Sequence, residues 1–256
     1  MQGEHKSPTA AGTTATRRQA CPELEIFFVD LVRAEAFLAA EEERTPRLSV
    51  ADHERARAIA DIQAQRLWCA SRIATRIVIE RFGGERFRGV AFQIDPGGRP
   101  VLGDGGPQFS VSHTNGAALI AVSMDMAVGV DLEAKTRMLH MSNDRRQRII
   151  RAAERLGPQP RLLGAENDGD VIAAWVQLEA VAKALGIGIG RLLTEEGVVG
   201  GSKSKSGAPT DYRLAVQALS VENAYIAAIA APRIPEDLKV ESFPHADIAA
   251  FLRRRR

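Results

Sequence analysis

The chain has 256 residues, 45% of them hydrophobic, enough to bury a core without disulfide or metal staples. Its 34 basic and 32 acidic side chains leave a net charge of +2, which argues against a dedicated nucleic-acid binder whose affinity rests on phosphate neutralisation. Cys21 and Cys69 are too few for a disulfide scaffold and are not at a metal-binding spacing. No apolar run approaches the ~20 residues that span a bilayer, and no apolar signal core opens the chain, so a cytoplasmic protein is expected.

Residues 1–22 are rich in Thr, Ala, Ser and Gln without apolar periodicity, and are expected to lack fixed structure. Leu24–Val29 reads as a first strand. Ile59, Ile62, Leu67, Ile73 and Ile77 recur at helical intervals and predict a helix from Ala51 to Phe82, with Ser49 as N-cap and Gly83-Gly84 as its stop. A short strand, Val90–Ile94, leads into the turn Asp95-Pro96-Gly97-Gly98. Phe109–Ser112 and Ala117–Ser123 then form a hairpin around His113-Thr114-Asn115-Gly116, whose Asn-Gly is a strong turn signal.

A second half begins near Ala127 with a strand to Leu132. A basic helix over Asn143–Leu156, a helix over Asp170–Leu185, and strands over Tyr212–Leu219 and Ala224–Ala230 follow. The chain thus divides into 23–125, 126–233 and a tail, 234–256. Gly200–Gly207 reads as a mobile loop; it lacks the Gly-Lys-Ser/Thr ending of a P-loop. The closing Arg253–Arg256 run reads as solvated charge.

Three patches carry the chemistry. Asp131 and Glu133, two apart on a strand, leave the same face of the sheet. By itself that pair reads as a solvent-facing feature of an edge strand. Glu179 and Lys183, four apart on a helix, also share a face; by themselves they could be a surface ion pair. His113, preceded by Ser112, falls beside backbone amides where an anion could sit. Hard carboxylate oxygens with nearby cations are what a divalent metal and a phosphate require.

In order and spacing, the patches Phe109-Ser110-Val111-Ser112-His113, Val128-Gly129-Val130-Asp131-Leu132-Glu133 and Trp175 through Gly186 resemble the Sfp-type 4′-phosphopantetheinyl transferases. Leu48-Ser49, with Glu54, Arg55 and Arg57, and Gly98-Arg99-Pro100 extend the likeness over about Leu48 to Gly188. The resemblance implies an α+β fold of two similar α/β halves packed as an intramolecular pseudo-dimer. It implies Mg²⁺-dependent transfer of 4′-phosphopantetheine from coenzyme A to a serine of an apo-acyl or peptidyl carrier protein, releasing 3′,5′-ADP. Asp131, Glu133 and Glu179 would hold the metal. Glu179 would act as base, and Lys183 would bind the pyrophosphate or stabilise the leaving charge. Ser112 and His113 would meet a coenzyme phosphate, Arg55 and Arg57 the 3′-phosphate, and Arg99 the pyrophosphate, with Arg72 and Arg76 as alternatives.

Leu178 departs from the family helix, which carries lysine there, so a non-catalytic coenzyme- or carrier-binding member of the fold is the first rival reading. An Mg²⁺-dependent phosphohydrolase is the second. The run Lys135–Met141 with Arg145, Arg146 and Arg148 is either a docking face for an acidic carrier or a basic helix without a partner. A monomer with no membrane partner is expected.

Overall fold

Alternation of side chains along extended chain decides the layering of the molecule. β1 (Leu24–Asp30) sends Ile26 and Phe28 to one face and Phe27 and Val29 to the other, and all four are buried. The computed structural model describes residues 24–103, 105–114, 116–156, 164–199 and 212–253. The segment 1–22, Asn115, the Gly200–Gly207 loop and Arg254–Arg256 lie outside the described residues.

α1 (Leu31–Arg44) follows β1 directly, because the Asp30 carboxylate accepts from the Arg33 amide at 3.1 Å and caps it. The single helix expected over 51–82 is two: α2 (Val50–Arg57), opened by a Ser49–Asp52 capping box, and α3 (Ile62–Gly83), capped by Asp61. A cap side chain inside the helical pattern restarts the helix there. A two-residue hairpin, β2 (Gln93–Ile94) and β3 (Pro100–Val101), precedes β4 (Gln108–Thr114) and β5 (Ala117–Ser123). β4 runs through His113 and Thr114, so the turn is tighter than expected, with Gly116 at φ +86°.

The second half supplies β6 (Gly129–Ala134), α4 (Asn143–Arg155), α5 (Asp168–Leu185), α6 (Ile189–Glu195), β7 (Ala215–Leu219) and β8 (Tyr225–Ala231). Residues 234–256, expected as a tail, contribute β9 (Val240–Phe243) and α7 (Ile248–Arg253). β9 pairs in parallel with β1, giving one sheet of order β4-β5-β1-β9, while a second has order β6-β8-β7.

The sheets face each other. Ile26, Phe28, Leu119 and Ala121 from the first meet Val130, Leu132, Ala227 and Ile229 from the second in one apolar cluster. Behind the first sheet, Phe27, Val29, Ile120 and Val122 pack on α1, α3 and α7; behind the second, Ala228 and Ala230 pack on α5, which is backed by α4. β5 lies between covered faces, and all seven of its residues are buried.

Phe251 of α7 lies edge-on to Phe27, with centroids 5.6 Å apart, and 5.1 Å from Phe243, under the Arg81 guanidinium. Phe251→Ala should therefore cost about 3–5 kcal/mol, the range for an aromatic lost from a core. Urea denaturation followed by circular dichroism measures it; a midpoint equal to wild type would show that α7 adds nothing to the core.

Candidate functional site

Strand β6 presents Gly129, Asp131 and Glu133 toward α5, at the period of two that the sequence predicts. A Cβ at Gly129 would collide with the backbone oxygen of Ala180 and the backbone nitrogen of Ala184. Glycine there, opposite alanines on α5, lets the helix backbone lie directly on the strand. The helix thereby carries Glu179 and Lys183 over Asp131 and Glu133.

Asp131 is 5% exposed. Its Oδ1 accepts from Ser112 Oγ and from Lys183 Nζ, each at 2.7 Å, and Lys183 also donates to the Val130 carbonyl at 3.1 Å. Its Oδ2 is buried with no hydrogen-bond partner in the described structure. Glu133 pairs with Arg137, and the nearby Thr114 hydroxyl favours its ionised form. Burial still holds its carboxyl above the usual range, aided by the charge of Asp131. Glu179 is likewise pushed up, first by burial and then by Asp131.

Among the described residues no group of three His, Cys, Asp or Glu side chains stands in an arrangement that could hold a metal ion. Lys183 and Arg137 instead take up the charge of Asp131 and Glu133. The donor set nevertheless suits a hard cation: three carboxylates that influence one another, two of them resisting ionisation, and one buried oxygen without a donor. No family model matches the chain, and neither does any curated protein.

His113, next to Ser112 but on the opposite face of β4, keeps an exposed surface while crowded by protein at its root. Withdrawal from water lowers its pKa, as do the nearby cations Lys183 and Arg72. The Arg72 guanidinium lies 5.0 Å from the Trp68 ring centroid and 4.9 Å from that of Phe92, and 3.3 Å from Asp52. Arg76 is buried against Asp52 and Ser49, which commits it to structure.

Arg99 reaches the same neighbourhood from the β2–β3 hairpin. It bonds Asp95 at 3.2 Å and the Lys183 carbonyl at 3.4 Å, where Gly97 and Gly186 touch closely. The structure thus gathers Ser112, His113, Asp131, Glu133, Glu179, Lys183 and Arg99, together with Arg72. It leaves Arg55 and Arg57 exposed on α2, neither hydrogen-bonded nor ion-paired to any of these residues. Thr114 and Arg137 are partners of Glu133 that the sequence reading does not assign. The signal for Thr114 is its period-two relation to Ser112; that for Arg137 is its spacing of four from Glu133. Leu178 is fully buried in the apolar core around α5.

A carboxyl whose folded pKa stands above its unfolded value binds protons more readily when folded. Its ionisation therefore removes stability as pH rises from the unfolded value through the folded one. Glu179 is in this position relative to its ordinary 4.5. In EDTA, Glu179→Gln should raise the Tm at neutral pH, and the gain should shrink as the pH falls toward and below 4.5. Thermal melts across pH test this; a neutral-pH Tm lower than wild type would contradict it.

Proposed function

We propose that the protein is an Mg²⁺-dependent 4′-phosphopantetheinyl transferase, moving phosphopantetheine from coenzyme A to a serine of an apo-acyl or peptidyl carrier protein. The observation that carries this is the meeting of Ser112, Asp131, Glu133, Glu179 and Lys183 in one place, with a buried Asp131 oxygen left without a donor. The family resemblance requires these distant patches to be neighbours. Leu178 belongs to the core and supplies no charged group to the cluster, so the non-catalytic rival is the alternative that the transfer assay separates.

The proposed architecture is the pseudo-dimer. Each half runs strand, helices and two antiparallel strands, and the strand orders correspond, β1-β5-β4 in one and β6-β8-β7 in the other. β9 is an addition to the first. A monomer carrying both halves is the corresponding assembly, and a cytoplasmic location goes with it. No single helix among the described residues is long and apolar enough to cross a membrane.

Asp131, Glu133 and Glu179 would hold Mg²⁺, which when bound supplies charge neutralisation at the reacting phosphates. Lys183 and Arg99, at the C-terminal end of α5, would bind the pyrophosphate of coenzyme A. His113 would donate to a phosphate, and Arg72 is better situated beside it than Arg55 or Arg57 for the 3′-phosphate. A guanidinium can engage two phosphate oxygens at once. Glu179 would take the proton of the attacking serine, its raised pKa making the ionised carboxylate a better proton acceptor.

The carrier would dock beside the metal strand. A groove of about 140 Å³ is lined by Leu139, Met141, Ile172 and Trp175 with Arg137 and Arg145, and Met138 is exposed. Arg137 joins groove to site, since it also pairs with Glu133. Arg146 does not belong to the docking face: it bonds the Ala165 carbonyl and pairs with Asp168, tying α4 to the start of α5. Arg148 pairs with Asp144 along α4.

Two measurements test the reading. Incubated with coenzyme A, Mg²⁺ and apo-carrier, the protein should add phosphopantetheine to the carrier, seen as a mass increase. Asp131→Ala should cut the rate by more than about 100-fold, the upper end of the cost of losing a mere supporting bond to a ligand. Undiminished transfer would refute the metal site. Release of phosphopantetheine without an acceptor would favour the phosphohydrolase. Arg145→Glu should raise the KM for an acidic carrier, more at low salt, with the KM for coenzyme A and the saturated turnover unchanged. Equal losses for both substrates would move the docking face elsewhere.

A further inference from the structure

The face of β4 that looks toward the second sheet carries three hydroxyls in a row, Ser110, Ser112 and Thr114, at the strand period of two. Each meets β6. Ser110 Oγ accepts from the Val130 amide at 3.1 Å, Ser112 Oγ donates to Asp131 Oδ1 at 2.7 Å, and Thr114, next in the row, stands where its hydroxyl favours the ionised form of Glu133. Ser110, Ser112, Val130 and Asp131 are all buried. The contacts join elements of different sheets, so they are not part of either ladder.

Their effect on Asp131 is asymmetric. Oδ1 receives two donors, Ser112 and Lys183, while Oδ2 receives none although it is buried. A carboxylate held in this way has one oxygen fixed by protein and one available to a cation. Carboxylate ligands of metals are commonly oriented by such hydrogen bonds, and losing one typically weakens metal binding 10–100-fold.

We infer that Ser112 and Thr114 are positioning residues that aim Asp131 and Glu133, and that Asp131 engages a divalent cation through Oδ2 alone. The inference rests on the metal site proposed above. It gives Ser112 a role different from that of a coenzyme phosphate ligand: its hydroxyl is spent on the carboxylate, and the neighbouring His113, on the other face of β4, is the phosphate-facing member of the pair.

Binding measurements on the full chain separate these roles without reference to turnover. Mn²⁺ is titrated in the absence of coenzyme A and followed by electron paramagnetic resonance of the free ion. Coenzyme A is titrated by calorimetry in EDTA. Ser112→Ala should weaken Mn²⁺ binding by about 10–100-fold, with coenzyme A affinity in EDTA unchanged. Thr114→Val should weaken Mn²⁺ binding in the same sense, and Thr114→Ser, which keeps the hydroxyl, should restore it. Thermal melts of each variant identify loss of fold, and Thr114→Ser against Thr114→Val decides the matter should Ser112→Ala not fold.

Weaker coenzyme A binding in Ser112→Ala with Mn²⁺ binding intact would overturn the inference and make Ser112 a phosphate ligand. Normal Mn²⁺ binding in both Ser112→Ala and Thr114→Val would overturn it while leaving the metal site standing. Absence of Mn²⁺ binding by the wild-type chain would overturn the metal site and this inference together.

Discussion

Helix α5 lies directly on strand β6 at position 129, which has no side chain, and that approach brings Lys183 onto Asp131. Side chains ordinarily fill the space between a helix and the sheet it packs on. At Gly129 the filling is gone and the alanines of α5 meet the strand directly. A carboxylate on the strand and an ammonium on the helix then come within 2.7 Å, the carboxylate buried and the ammonium partly exposed. Withdrawal from water is the main reason that Glu133 and Glu179 resist ionisation despite cations beside them, and the charge of Asp131 adds to it.

The second constraint is the apolar contact between the two sheets. Because β6 turns Val130 and Leu132 into that contact, Asp131 and Glu133 have no choice but to face α5. A shift of one residue would bury both carboxylates between the sheets. The hydroxyls of β4 act on the same register from the side, so hydrophobic and polar contacts specify one alignment.

Much of this was legible in the chain. The spacing of two on β6 and of four on α5 and the Ser49 cap all correspond to features of the structure. Helix α1 is missing from the sequence reading: its buried face, Leu31, Ala34, Leu38 and Glu41, includes a glutamate that no apolar periodicity registers. Other features have no local signal. β9 is four residues with two apolar side chains, too short for periodicity to register, and only the open edge of β1 makes it a strand. Which arginines approach the cluster depends on folding: Arg72 and Arg76, four apart on one helix face, differ because one is sealed against Ser49 and the other keeps some exposure. Nothing in the spacing of arginines separates Arg55 from Arg72.

Strand β9 pairs with β1 across more than two hundred residues of intervening chain. During synthesis the hairpin partners of β1 become available long before residues 240–243 emerge, so the first sheet must exist for a time with one edge bare. An uncovered edge strand with Phe27, Phe28 and Val29 in sequence is a template for pairing with another chain. The charged α1 that follows β1 and the late arrival of α7 over the same core make vectorial synthesis a period of exposure. A nascent or cleaved product lacking residues 240–253 leaves this edge and the core beneath α7 uncovered.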